Sequence, residues 1–343
     1  MQEKMLRARI VGPRKAELVD APMPAARDDW ALVRVDVIPM CTEYKLFVAG
    51  DRCEYLGHEA AGTVVDVGRP CEVSPGDRVV VMPGYPCGVC SLCRSGEYIH
   101  CEHWIDPARF TGSSEGAATY AQFLVKPAWL LPRIPNGMST EHASLACCAL
   151  GPTFGAMDLL EVDAFDTVLI TGLGPVGLGG VVNARYRGAR VIGVEPHAWR
   201  AQRALDLGAE AVLDPSEAGC AQLVRDLTDG RGVDKAVDCA GTPASHRLCI
   251  EATRRKGHVA FVGECGDVTT LRVSPDLIRS GLTLRGSWHY NRHRVDALFQ
   301  VIASRRDQMD LLVSHTLPFS QVQRALEISA THDSGKILLR AWE

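Results

Sequence analysis

The chain has 343 residues, with 37 Lys+Arg against 41 Asp+Glu, a formal net charge of −4, and 46% hydrophobic and 23% charged residues. A length of this order predicts two domains, each burying its own core. The apolar and charged fractions exclude a disordered chain, and the slight negative charge points to neither a nucleic-acid nor a membrane partner.

Met1–Glu3 leads into Lys4 and Arg7 without the apolar stretch of a signal peptide, so a cytoplasmic protein is expected. Next come runs such as Trp30-Ala31-Leu32-Val33-Arg34-Val35 and Pro75-Gly76-Asp77-Arg78-Val79-Val80-Val81. They predict antiparallel strands with Gly/Pro turns in a barrel-like arrangement.

Thirteen cysteines are an odd number, and a reducing compartment keeps them as thiols. Cys87, Cys90 and Cys93 stand at three-residue intervals, and Cys101 follows after seven residues. Four thiolates at this spacing can surround one tetrahedral Zn²⁺ at about 2.3 Å each. Pro83, Gly84, Pro86, Gly88 and Gly96 break regular structure here, so residues 84–103 are expected to form a loop lobe clamped by metal. Four protein ligands leave no open position, which makes this a structural zinc. Cys53, Cys71, Cys220, Cys239, Cys249 and Cys265 are scattered and are expected to pack in cores.

Thr167–Thr171 is a short β-branched run, and Gly172-Leu173-Gly174-Pro175-Val176-Gly177 follows it before a helical stretch. This is the strand, tight turn and helix of a dinucleotide fold. Gly172 permits the turn, Gly174 admits a pyrophosphate, and Gly177 lets helix and strand pack closely. The helix N-terminus, opened by Pro175 and Val176, offers unpaired N–H groups to the phosphates. Glu195 ends the next strand, 23 residues after Gly172. A carboxylate there accepts from ribose hydroxyls and repels a 2′-phosphate, which favours NAD over NADP. Arg200 is placed to flank the adenosine. Further strand runs at 211–213, 235–237, 258–263 and 282–286 predict a doubly wound parallel sheet of about six strands. The uncharged stretch Thr167–Ala184 holds five glycines and a proline, so it is no membrane span.

Cys41, the triplet Gly57-His58-Glu59, the four-cysteine lobe, Cys147-Cys148, the glycine turn and the run Ser334-Gly335-Lys336-Ile337 follow one another along the chain. In this order they resemble the zinc-containing medium-chain dehydrogenase/reductase family over nearly the whole chain. The resemblance implies an α/β protein in which a mainly antiparallel catalytic domain, 1–153 and 292–343, flanks a Rossmann domain, 154–291. It implies a second, catalytic zinc held by Cys41, His58 and a third ligand near position 148. Counting back from Asp166-Thr167 and Gly155 favours Cys148 over Cys147. Three ligands leave a fourth corner for water or an alcohol oxygen, with Glu59 beside the metal. Lys336 matches the family's basic residue at the cofactor pyrophosphate. The implied activity is reversible oxidation of a secondary alcohol with NAD, in a homodimer or homotetramer acting on a small molecule.

The chain departs from the family at two places. Family members usually carry Ser or Thr two residues after the first zinc-ligand Cys and often a His three residues later, where this chain has Glu43 and Leu46. Glu43 is therefore a candidate general base, a substrate-binding carboxylate, a group that approaches the metal, or a surface partner of Lys45 or Arg52. Tyr44 is a further candidate donor. The absent hydroxyl also admits a reductase of activated C=C or C=N bonds, or a non-catalytic NAD- and zinc-binding protein. The second departure is length: only sixteen residues separate Cys41 from His58, which should open the substrate mouth. Trp288-His289-Tyr290 suits a polar ring-shaped substrate such as a sugar, polyol or cyclitol, or else packs at an interface.

Overall fold

A computed structural model describes residues 4–343; Met1–Glu3, with which the signal-peptide reading begins, lie outside the described residues. The chain divides into two compact units. The first runs to Cys147 and takes up Asn291–Arg306 and Val313–Glu343; the second comprises Cys148–Tyr290 and Asp307–Leu312. Strands are numbered along the chain.

In the first unit β1 (Lys4–Gly12) and β2 (Lys15–Pro22) form an antiparallel ribbon. A larger sheet holds β3 (Trp30–Pro39), β4 (Ala60–Val67), β5 (Arg78–Val81), β6 (Phe123–Pro127) and, from the far end of the chain, β13 (Val313–Pro318) and β14 (Lys336–Arg340). Its order is β13-β14-β3-β4-β5, with β6 also on β3. All pairings are antiparallel except β13 with β14.

β3 is the spine of this sheet because it is apolar on both faces. Successive side chains of a strand point to opposite sides. Ala31, Val33 and Val35 enter one buried cluster, with Phe47, Leu56, Val79 and Tyr120. Trp30 and Leu32 enter another, with Phe123 and Val125. Arg34 is the exposed exception and pairs with Asp36 at 2.7 Å.

The antiparallel pairing has a consequence for the site. The end of β3, the start of β4 and the start of β14 fall at one end of the sheet, and the N–H of Met40 donates to Ile337 O at 2.9 Å across that end. Cys41 follows β3 closely, Glu59 immediately precedes β4, and Lys336 opens β14.

The second unit carries β7 (Thr167–Thr171), β8 (Arg190–Val194), β9 (Ala211–Leu213), β10 (Val233–Asp238), β11 (Thr253–Phe261) and β12 (Thr283–Gly286). They form one parallel sheet in the order β12-β11-β10-β7-β8-β9. Strand order reverses between β7 and β10, the point at which doubly wound sheets hold ligands beyond their carboxyl ends. One core cluster joins Leu169, Ile192, Val224, Ala236, Cys249 and Val259. The α/β architecture expected above is therefore present in both parts.

Among the described residues no cysteine forms a disulfide. Cys220 and Cys249 are core residues as expected. Cys53, Cys71, Cys239 and Cys265 are only half-buried. Cys53 and Cys71 pack against the first unit's core cluster, and the thiols of Cys53, Cys71 and Cys265 turn toward the carbonyls of Tyr55, Val73 and Asp267. Among the described residues no helix is long and apolar enough to cross a membrane.

Candidate active site

Four potential ligands meet where β3 ends. One donor atom from each of Cys41, His58, Glu59 and Cys148 lies within 4.8 Å of the others. Cys148 is bonded directly to Cys147, the last residue of the first unit's opening segment. Cys147 points away and donates its Sγ–H to Val81 O at 3.3 Å. Gly57 explains how His58 reaches this place. Its φ is +90°, and a Cβ there would lie 2.3 Å from the Tyr120 ring. Only glycine allows both that conformation and that approach.

Glu43 is buried, at 5% exposure, and pairs with neither Lys45 nor Arg52 in the way a surface carboxylate would. Its Oε1 lies 3.2 Å from His58 Nδ1. Its Oε2 accepts from the Cys41 N–H at 2.7 Å and from the Tyr120 hydroxyl at 3.2 Å. The side chain opens the helix Glu43–Ala49 and folds back over its own N-terminus. Burial works to raise the Glu43 carboxyl, but the His58 hydrogen bond and charge outweigh it and hold it below its ordinary value.

Lys336 is 1% exposed and donates to Glu59 Oε1 at 2.7 Å. Burial pushes the Glu59 carboxyl up to about 7 against the pull of this ammonium. Burial also opposes a charged His58, yet the Cys41 thiol and the Glu43 carboxylate raise its imidazole to about 11. Glu43 faces the imidazole and Glu59 the ammonium, so each buried carboxylate has a cationic partner. The S, S and N donors with a carboxylate beside them fit Zn²⁺ and leave a fourth corner for an exogenous oxygen.

The loop lobe provides the closed counterpart. The ligand atoms of Cys87, Cys90, Cys93 and Cys101 all lie within 4.8 Å of one another. Cys87 Sγ is 4.0 Å from Cys93 Sγ, and Cys90 Sγ is 4.0 Å from Cys101 Sγ. A tetrahedron with metal–sulfur distances of ~2.3 Å has edges of about 3.8 Å, so the sulfurs already stand near the spacing zinc requires. The N–H groups of Cys87, Cys90, Cys93 and His103 donate to these sulfurs. The Cys93 N–H is the main cause that holds the Cys90 thiol down to about 6.

In the second unit Gly174 caps the helix Pro175–Tyr186, with Pro175 at its first position and Val176 next. Gly172 has φ +77° and lies against Ala240, and a Cβ on Gly177 would meet Gly172 O at 1.9 Å. Glu195 is buried against this turn. It accepts from the N–H of Leu173 at 2.6 Å and of His197 at 3.1 Å. Each carboxylate oxygen keeps a further lone pair for another donor. The Arg200 guanidinium stands over Gly174, 3.6 Å from where a Cβ would be.

Comparison with known proteins meets this geometry. Residues 27–136 match the alcohol dehydrogenase GroES-like domain and residues 175–304 the zinc-binding dehydrogenase domain. L-idonate 5-dehydrogenase of Vitis vinifera is 31% identical over 80% of this chain and 75% of its own. The chain belongs to the zinc-containing medium-chain dehydrogenase/reductase family. L-threonine 3-dehydrogenase of Pyrococcus horikoshii is 29% identical over 98% of this chain and 99% of its own. Among solved structures, the alcohol dehydrogenase of Thermus sp. ATN1 superposes with a TM-score of 0.88 at 26% identity, covering 98% of this chain and 99% of that one. This member of the family is an oxidoreductase of the zinc-dependent alcohol and polyol type.

The remaining candidate residues have these neighbours. Lys336, assigned by resemblance to the pyrophosphate, has its ammonium on Glu59. Of the three rings considered for substrate, only Trp288 is exposed. Tyr290 is 2% exposed and packs edge-on against Phe154, and His289 stacks on it at 4.7 Å. Tyr44 meets His332 edge-on. Tyr120 is the residue that sequence reading missed. Its one signal was the glycine of Gly57-His58-Glu59, which implies a bulky neighbour.

Proposed function

We propose that this protein interconverts a secondary alcohol of the polyol, sugar or cyclitol class and its ketone, using NAD(H). The observation that carries this reading is the convergence of Cys41, His58, Glu59 and Cys148 in a chain that also bears the Gly172–Gly177 turn. Cys41, His58 and Cys148 would hold a zinc, which when bound would supply Lewis acidity at a substrate hydroxyl, and a bound NAD would supply the hydride acceptor.

The chain's own residues prepare this site. Glu43 takes Nδ1 of His58, which fixes the ring and directs Nε2 toward the ligand cluster. With Oε1 on His58 and Oε2 on the Cys41 N–H and the Tyr120 hydroxyl, Glu43 is placed to position the histidine, and we read it as a positioning residue. Tyr120 holds Glu43 in turn. Lys336 balances the charge of Glu59 where water cannot. On the other unit, the N-terminus of the helix Pro175–Tyr186 would hold the pyrophosphate. Glu195 would accept from the ribose hydroxyls, and Arg200 would flank the adenosine.

A turnover screen of the zinc-loaded protein with NAD and a polyol, sugar and cyclitol panel tests this function. Oxidation of at least one secondary alcohol is expected, with about two zincs per chain by metal analysis. Turnover of imines or enones with no alcohol oxidised would replace it with the C=N or C=C reductase reading. Glu195→Ala is expected to narrow the gap between NAD and NADP, and an unchanged ratio removes Glu195 from its role.

A further inference from the structure

We propose that a cavity at the amino ends of β10 and β11 is a second ligand site, which takes a small phosphorylated anion and is separate from the dinucleotide turn. The cavity measures about 910 Å³, the size of a small-molecule pocket. Arg225, Arg231, Arg254, Arg255 and Arg272 line it, against only two carboxylates, Glu251 and Asp276. This gathering is unusual in a chain whose net charge is −4.

The ion pairs around the cavity do not cancel this charge. Asp234 is shared by two guanidiniums, with Oδ1 2.5 Å from Arg254 Nε and 3.7 Å from Arg231 Nη2. Asp276 is likewise shared, 2.6 Å from Arg247 and 3.3 Å from Arg272. Glu251 takes a second nitrogen of Arg247 at 2.8 Å. Arg225 gives its hydrogen bonds to the carbonyls of Glu251 and Arg231, so no carboxylate offsets it. Six guanidiniums thus stand against three carboxylates.

Arg231, Arg255 and Arg272 face solvent, but the rim is anchored on a buried carboxylate. Asp276 is 5% exposed, and the Arg247 guanidinium beside it holds its carboxyl down to about 2. It therefore stays ionised at working pH and keeps Arg247 and Arg272 in place. Ile250 and Leu282, both buried, supply an apolar floor. Arginine forks match the paired oxygens of a phosphate, while the floor suits the organic part of an ester. Position separates this site from the cofactor turn. Gly172 follows the carboxyl end of β7, whereas the Thr167 N–H at the start of β7 donates to Asp234 at 2.8 Å. In a parallel sheet these are opposite edges.

Calorimetric titration of the zinc-loaded protein with inorganic pyrophosphate, and separately with glucose 6-phosphate, tests the proposal, each with and without excess NADH. At least one probe is expected to bind in the presence of NADH, and the tighter of the two distinguishes an inorganic from an organic phosphate. Arg255→Gln with Arg272→Gln should weaken it by about a hundredfold, roughly tenfold for each charge-assisted contact removed, and leave the NADH titration unchanged. Arg255→Gln alone, at an exposed position, keeps the test valid if the double variant folds poorly, and should cost about tenfold. No binding of either probe, binding that NADH abolishes, affinity indifferent to these substitutions, or citrate binding as tightly as phosphate would each overturn it.

Discussion

The two thiol-rich clusters of this protein are built on opposite plans. The lobe takes all four donors from residues 87–101, with every donor a sulfur and several backbone N–H groups turned on those sulfurs. The inner cluster draws Cys41, His58, Glu59 and Cys148 from three separated segments and surrounds them with Glu43, Tyr120 and Lys336. A local, saturated set serves shape. A dispersed, mixed set with an open corner costs buried charge and in exchange can admit a reacting oxygen.

Removing one thiol from each cluster separates the two plans most sharply. Cys148→Ala should lower turnover by about 10³-fold, the scale of losing a site's main electrostatic stabiliser, and take zinc from two to one per chain while the melting temperature moves little. Kinetics, metal analysis and thermal melts check this, and retained turnover with one zinc would break the assignment. Cys93→Ala should do the reverse. It removes about 3 kcal/mol or more of metal-linked stability, seen as a lower melting temperature, while the remaining folded enzyme keeps near-parental turnover. Glu43→Gln should weaken zinc at the inner cluster by about 10- to 100-fold in chelator competition and leave the lobe's zinc untouched. Glu43→Asp, which keeps the charge, should recover part of that loss. Tyr120→Phe should have the smallest effect, about fivefold in the same competition, the worth of one hydrogen bond to a buried carboxylate.

The difference between the clusters also decides what can be read from sequence. The lobe is legible because its spacing is its geometry: four cysteines within fifteen positions can hardly do anything else. The parallel sheet is legible for a similar reason, since each β-branched run is short, local and followed by a turn or helix. The inner cluster is legible only through the order of its fragments, and its outer shell less so. Glu43 stands two residues after Cys41, and composition alone fits a base, a substrate contact or a surface pair. Its partner His58 is set by how β3 and β4 pair, which no local pattern encodes. Tyr120 lies 77 positions from Glu43, and Lys336 lies 277 positions from Glu59. Long-range register brings both in, so their partners emerge only once the sheet is formed.

The pairing of Lys336 with Glu59 carries a consequence for how the molecule is made. A ribosome delivers the chain from its amino end, and early segments fold before later ones exist. The lobe has all its sulfurs once residue 101 has emerged, and it can close around an ion while most of the protein is still unwritten. The inner cluster must wait for Cys148 and then for the cation that arrives with β14. The lobe's donor set is therefore complete in the chain well before the inner cluster and its charge partner are.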